Sequence, residues 1–389
     1  MYKLLITIII LIYTQSCNYK DVNNASNREF KDIVIKDSVG GYWNPMEYFT
    51  TYKIIPLETN EKSIIGKIQN ISINDNKIIL LDKQRIRIHV FEITGNHLYT
   101  INKIGLGPGE LMEPFDFYID QKDTSIMIYD RLNGLIKYNL SGEFIQQSKT
   151  IFHNPDFNVI RIQNIKENYF LFRKSVPGGG SPNFTHGYKL YLGDYQKLQD
   201  SFLSYTDANF TNTNLSYTNV FSKFENGFNY WEVFRDTLYY IDFVNRSLKR
   251  KYYFDFQERS MSDIASKMPL EQLLTYLNSS GDKYSGMVNN VIEFQDFILF
   301  NYSYNLNNDL AKLVFAKYDK TTETTTSYNG IGLDEIKIRI NSLQFKLSEN
   351  SAYAVVSPVE LYNNSYNDEF IDANSILESD NPLLVIFSR

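Results

Sequence analysis

The sequence predicts an all-β fold, a six-bladed β-propeller of four-stranded antiparallel blades with small helical and loop insertions. Three observations predict it. The 389 residues include 30 Tyr and 27 Phe, side chains that pack well on a pleated surface. Short apolar runs alternate with turns built from Gly, Asp and Asn. One strand–turn pattern also recurs at a fixed period in the first third of the chain, the signature of a stacked repeat.

The repeat is clearest in two segments. The first runs Ile71-Ser-Ile73, a polar turn at Asn74–Lys77, Ile78 to Asp82, Ile88 to Phe91, and Gly95. The second runs Phe117-Tyr-Ile119, a turn at Gln121–Ser125, Ile126 to Asp130, Ile136 to Tyr138, and Gly142. Asp82 and Asp130 lie 48 positions apart, and Gly95 and Gly142 lie 47 apart. Periods in the forties with several strands per unit belong to propeller blades. The turns at Thr94-Gly95-Asn96 and Ser141-Gly142-Glu143 place Gly where a positive φ is expected.

Four further blades follow in weaker form: Ile160–Arg173 with Lys189–Leu192; Phe221–Arg235 with Thr237–Asp242 and Leu248–Phe254; Val288–Tyr304 with Ala311–Asp319 and Thr324–Tyr328; and Ile338–Leu347 with Ala352–Ser357 and Leu383–Phe387. Either Tyr52–Leu57 or Asp32–Lys36 is expected to pair with C-terminal strands and close the ring, hiding a free edge. Insertions are expected at Pro177–Pro182, at Ser260–Ser279 with helical spacing and Pro269 near a break, and at Val359–Ser379, with Ile376 and Leu377 as anchors.

The N-terminus reads as an address. Lys3 precedes Leu4 to Ile12, which is apolar but for Thr7. That run falls short of the ~20 residues a membrane-spanning helix needs and fits a signal peptide. The single cysteine, Cys17, follows Ser16 at the position where a lipoprotein signal is cleaved. The segment resembles a bacterial lipoprotein signal, with Thr14 departing from the usual Leu. The expected organisation is signal peptide 1–17 with Cys17 lipidated, tether 18–30 and propeller 31–389. Lys20-Asp21 resembles a surface-export signal of Bacteroidetes lipoproteins. These features imply an extracytoplasmic protein held on the outer membrane by its lipid.

The net charge of −6 and the lack of a basic block disfavour nucleic acid, whose binding rests on phosphate neutralisation. One cysteine rules out an intramolecular disulfide and a cysteine-based zinc site. The four His residues, 89, 97, 153 and 186, lack metal-ligand spacing, so no metal site is assigned. Asp75, Asp82, Asp120, Asp130, Asp242 and Asp319 recur near strand ends, where carboxylates usually satisfy turn amides. A channel-lining calcium role is the competing reading. Arg85, Arg87, Arg131, Arg161, Arg173 and Arg235 are available for a sialidase-like cluster, but nothing in their spacing selects a set. No Gly-x-Ser-x-Gly elbow occurs, and catalytic residues stay unassigned.

Gly105-Leu-Gly107-Pro108-Gly109-Glu110 superficially matches a phosphate loop, but Pro108 removes an amide and a strand, not a helix, follows. An inter-blade turn is expected, with Glu110 bonding turn amides. Together with Glu113-Pro114-Phe-Asp116-Phe117, Ile55-Pro-Leu-Glu-Thr59, Ile65-Gly-Lys-Ile68, Asp82 and Glu378-Ser-Asp-Asn-Pro382, this motif resembles the six-bladed β-propeller lipoproteins of Bacteroidetes, which are related in architecture to NHL-repeat propellers. The resemblance is strongest over residues 52–145. It implies fold and address, not chemistry. Function is therefore expected to be that of a monomeric binding module for a glycan or protein. The alternative is a glycan- or lactone-directed hydrolase or lyase at the central channel, with calcium as its only candidate cofactor. Carboxylates, His or Arg at the axis would favour the enzyme.

Overall fold

The computed structural model describes residues 30–389 apart from 75, 121, 151–158, 167–168, 175–186, 205–219, 233, 266–267, 269, 308–310 and 342. Cys17, His153, His186, Asp75, Pro269 and the 177–182 insertion lie outside the described residues.

Six four-stranded antiparallel sheets form the ring. Blade one holds Ile68–Asn74, Lys77–Asp82, Arg87–Glu92 and His97–Ile101; blade two holds Pro114–Ile119, Ile126–Asp130, Gly134–Tyr138 and Phe144–Ser148. Blade three spans Val159–Lys166 to Leu198–Ser204, blade four Phe221–Phe224 to Ser247–Asp255, and blade five Ser285–Glu293 to Thr324–Tyr328. Blade six joins Phe345–Ser348, Ser351–Val356 and Leu383–Ser388 to a fourth strand from the other end of the chain, Thr51–Pro56.

The core consists of layers between blades, which explains why the inner strands read as unbroken apolar runs. In Lys77–Asp82, Ile78 and Leu80 face the layer shared with blade six, where they meet Ile55, Tyr353 and Leu384. Ile79 and Leu81 face blade two and meet Phe117, Ile126 and Ile128. Phe297–Tyr304 divides in the same way: Phe297 and Leu299 pack towards blade six, and Ile298, Phe300 and Tyr302 towards blade four. A strand buried on both faces loses the period-two signal.

Of the two segments expected to close the ring, Thr51–Pro56 does so, pairing antiparallel from Thr51↔Ser388 to Pro56↔Leu383. Lys31–Val34 instead adds a fifth strand, parallel to Tyr252–Asp255 on the outer edge of blade four. The chain then bridges to blade five at Val39↔Ser327 and to a small hairpin at Trp43↔Ile331. Residues 31–56 thus run as a strap over blades four, five and six. Trp43 is its anchor, stacked on Phe315 at 5.5 Å and packed edge-on to Phe49 and Phe297.

Two local expectations change. Ile338–Ile340 does not open blade six; it pairs with Ile331–Leu333 in the separate hairpin, because Ile338 and Ile340 fill the layer between blades five and six. Blade six begins at Phe345. Of the two expected anchors in the last insertion, Ile376 is buried but Leu377 is 60% exposed. That insertion folds as Pro358–Tyr362 and Asp368–Ala373, two short helices holding Leu361, Phe370 and Ile371 in the core. The other helical insertion, Ser262–Ala265 and Leu270–Ser280, seats Leu273 and Leu277 against Phe234, Met261 and Leu306. Among the described residues no helix is long and apolar enough to cross a membrane.

Candidate functional site

The innermost strand of each blade pairs on one side only, and inner strands of different blades approach one another around the axis. Their free main-chain groups must be met by side chains, water or a ligand. They enclose a cavity of about 300 Å³, at the small end of ligand-site sizes. Its polar lining comes from Asn70 and Ser72 of blade one, Gln163 and Asn164 of blade three, Ser222 and Lys223 of blade four, and Gln344 and Lys346 of blade six. Phe117, Tyr118, Phe221, Phe228 and Tyr353 supply aromatic surface. Among the described residues no Asp, Glu, His or Arg lines it. Burial pushes the Tyr118 phenol up, so it stays a neutral hydrogen-bonding group. The Ser222 hydroxyl is buried with no protein partner among the described residues.

A buried polar chain runs beside this cavity through four blades. Asn70 donates to Asp116 Oδ1 at 2.6 Å, and the amides of Phe117 (3.0 Å) and Ile162 (3.1 Å) donate to the same carboxylate. Burial pushes the Asp116 carboxyl up against the pull of Arg161, and lowers Arg161 in turn. Further round, Lys189 Nζ donates to both Glu232 oxygens at 2.7 and 2.8 Å, Tyr230 donates to Oε1 at 2.6 Å, and Arg235 stands at 3.4 Å. Burial holds Lys189 down to about 7. Burial works against Glu232 ionisation, but Lys189, Arg235 and Arg173 outweigh it and lower its pKa. Such networks fix one packing arrangement when every member is satisfied.

The recurring aspartates act at turns. Asp82 accepts the amides of Gly66 (2.7 Å), Lys67 (3.0 Å), Gln84 (3.1 Å) and Arg85 (3.2 Å). Asp130 does the same one blade on, taking Met112, Glu113, Leu132 and Asn133. Each carboxylate ties its own hairpin turn to the segment entering the inner strand of its blade. Asp242 and Asp319 accept turn amides two and three residues on, and Asp120 accepts Lys122. Among the described residues no three His, Cys, Asp or Glu side chains gather where a cation could sit.

His89 and His97 meet on one hydroxyl. His89 Nδ1 lies 3.0 Å and His97 Nε2 2.9 Å from Thr100 Oγ1, and His89 Nε2 is 3.9 Å from Asp82. None of these side chains lines the cavity. The six arginines do not all meet at one point: Arg131 pairs with Glu113, Arg173 and Arg235 both act on the buried Glu232, Arg161 acts on Asp116, and Arg85 and Arg87 lie in blade one.

Gly105, Gly107, Pro108, Gly109 and Glu110 lie between the outer strand of blade one and the inner strand of blade two. Glu110 Oε2 accepts the Gly107 amide at 2.7 Å, and Asn133 Nδ2 donates to the carbonyls of Gly105 and Glu110, both at 2.8 Å. Gly109 has φ +74°, and a Cβ there would stand 2.8 Å from the Phe144 ring. The loop does not line the cavity.

A second cavity of about 450 Å³ lies by Arg235, Tyr239 and Arg250. A third, of about 570 Å³, lies on the rim between the strap and the last insertion, by Tyr42, Arg339, Asn341 and Glu360. Arg339 there is committed to Asp334 and stacked on Tyr366. Sequence reasoning missed the axial lining altogether, because Asn70, Gln163, Ser222 and Gln344 come from four separate blades and share no spacing.

Comparison with solved structures matches the whole ring. A candidate exported protein of Bacteroides fragilis is 18% identical, with 92% of this chain and 99% of that one covered, at a TM-score of 0.67. A member of the DUF4221 family from Bacteroides vulgatus is 11% identical, covering 87% and 96%, at a TM-score of 0.53. At these identities the likeness is one of fold. No curated protein matches the chain. The model of a family described as a domain of unknown function, DUF4934, matches residues 44–388, a span running from the strap to the last strand of blade six, so the chain belongs to that family.

Proposed function

We propose that this protein is a lipid-anchored, extracytoplasmic binding module, NHL-like in its repeat, whose axial cavity takes a small hydroxylated ligand such as one unit of a glycan. One observation carries the reading: amides, hydroxyls, two lysines and aromatic faces line the cavity, and among the described residues no carboxylate, His or Arg does. That lining offers hydrogen bonds and stacking surface to a sugar and no acid–base pair for hydrolysis. Residues 1–17 support the address, with Cys17 as lipid acceptor. The exported character given to the B. fragilis relative agrees with it.

The test is a glycan array probed with purified non-lipidated protein, with and without calcium, alongside Asn164→Trp, which places an indole in the cavity. Selective binding that the plugged variant loses, with an unchanged melting midpoint, supports the reading. Binding that survives the plug refutes it. For the anchor, Cys17→Ala is expected to abolish acyl labelling and release the protein from membranes; retention in the membrane fraction refutes the lipid address.

A further inference from the structure

The chain carries 45 acidic against 39 basic residues, yet among the described residues the only charged ones lining the axial cavity are Lys223 and Lys346. The two lysines differ. Lys346 is 4% exposed and its ammonium sits 2.8 Å from Glu349. Lys223 is exposed, and among the described residues no hydrogen bond or ion pair occupies it.

The next residue strengthens the cationic character. The Phe224 ring has Lys251, Lys320 and Lys346 ammonium groups at 3.8, 4.7 and 5.4 Å from its centre. Lys251 and Lys320 share the buried Glu293 carboxylate, each at 2.7 Å. Lys251, Lys320 and Lys346 are thus each matched to a carboxylate, and Lys223 is the ammonium of the four left without one among the described residues. A low-dielectric cavity focuses such a charge on whatever enters. Ser222, beside Lys223 on the same inner strand, adds the unpartnered hydroxyl.

We infer that the axial ligand is an acidic sugar, a uronic acid unit whose carboxylate is bound by Lys223 and whose hydroxyls meet Ser72, Gln163, Asn164, Ser222 and Gln344. This rests on the axial binding reading above and adds the charge of the ligand to it. A single carboxylate matches the single unpaired ammonium of Lys223, and about 300 Å³ suits one sugar ring rather than an extended chain.

The experiment is a ligand-observed NMR titration of D-glucuronate and of neutral D-glucose, with the wild type, Lys223→Gln, Lys223→Arg and Asn164→Trp, each checked for an unchanged melting midpoint. Glucuronate is expected to bind about tenfold tighter than glucose, the effect of one charge-assisted contact. Lys223→Gln should erase that preference, Lys223→Arg should keep it, and raised salt should weaken glucuronate. Equal binding of the two sugars by the wild type, or a preference that survives Lys223→Gln, overturns the charge assignment, while the axial reading stands if Asn164→Trp removes both sugars. If neither sugar binds the wild type, or both bind the plugged variant normally, the axial reading falls and this inference with it.

Discussion

Asn381 and Ile65, 316 positions apart, meet at 2.9 Å, where the Asn381 Oδ1 accepts the Ile65 amide. The same side chain donates through Nδ2 to the carbonyls of Glu58 (2.7 Å) and Ser63 (2.9 Å). One buried amide therefore stitches the C-terminal segment to the loop entering blade one, just beyond the strand pair that closes the ring. Asn381→Ala leaves the Ile65 amide and the Ser63 carbonyl without this partner, while the Glu58 carbonyl keeps the Ser63 hydroxyl at 2.7 Å, and each such loss costs about 1–3 kcal/mol when the group is buried. The expected outcome is destabilisation of at least ~2 kcal/mol in urea unfolding. A change within error would show that water replaces the stitch.

The strap makes a separate prediction. Trp43 is buried between blades five and six with Phe49, Phe297 and Phe315 around it. Trp43→Ala should cost about 3–5 kcal/mol, the range for deleting a large buried aromatic. Ile33, fully buried against blade four, should also be intolerant: Ile33→Asp is expected to release Lys31–Val34 from its parallel pairing, seen as fast exchange of the Ile35 amide, which donates to the Asp255 carbonyl at 2.9 Å, in hydrogen-exchange measurements. Slow exchange there would contradict the strap.

The Lys189–Glu232 pair gives a pH signature. Burial holds Lys189 down to about 7 in the fold, against about 10.4 in an unfolded chain. Between those values the unfolded chain binds more protons, so this group makes stability rise with pH. Thermal unfolding from pH 7 to 9 should show that rise in the wild type and lose it in Lys189→Met. That variant should also be less stable by about 3–5 kcal/mol at pH 7, because Glu232 loses its closest cation.

Acid acts at blade one. Burial opposes ionisation of Asp82, but His89 and the amides of Lys67, Gly66 and Arg85 outweigh it and hold the carboxyl at about 2. Its contribution is complete above pH ~4 and fades as pH falls through about 2. His97 is lowered by burial and by His89, so its neutral form is favoured in the fold and stability begins to fall as pH drops through the ordinary histidine range. Denaturation midpoints should decline in two steps, the first absent from His97→Gln and the second from Asp82→Asn. A single step common to all three proteins would contradict this assignment.

The parts of the fold legible in the sequence are those where the hydrophobic pattern is local. Ile78 to Asp82 and Ile126 to Asp130 declare strands because both faces of each are buried. Gly95 and Gly142 declare hairpin turns through their positive φ, +96° and +83°. What stayed open depended on distant partners. Ile33 and Ile54 lie in equally strand-like segments, and only the packing of Ile33 against Trp231 and Phe254 decides that its strand flanks blade four while Thr51–Pro56 closes the ring. Ile338 and Ile340 look like the start of a blade because a rim hairpin that fills a core layer has the same pattern. The binding cavity was illegible for a further reason: Asn70 is held by Asp116 of the next blade, and no local rule places a lone amide at an axis.

The most direct test of the axial binding claim is a crystal structure of the protein soaked with the best ligand from the glycan array. Electron density is expected at the axis, in contact with Lys223, Gln163 and Ser222. Density confined to the rim cavity beside Tyr42 and Glu360, or to the outer face of a blade, with the axis holding only water, would contradict it.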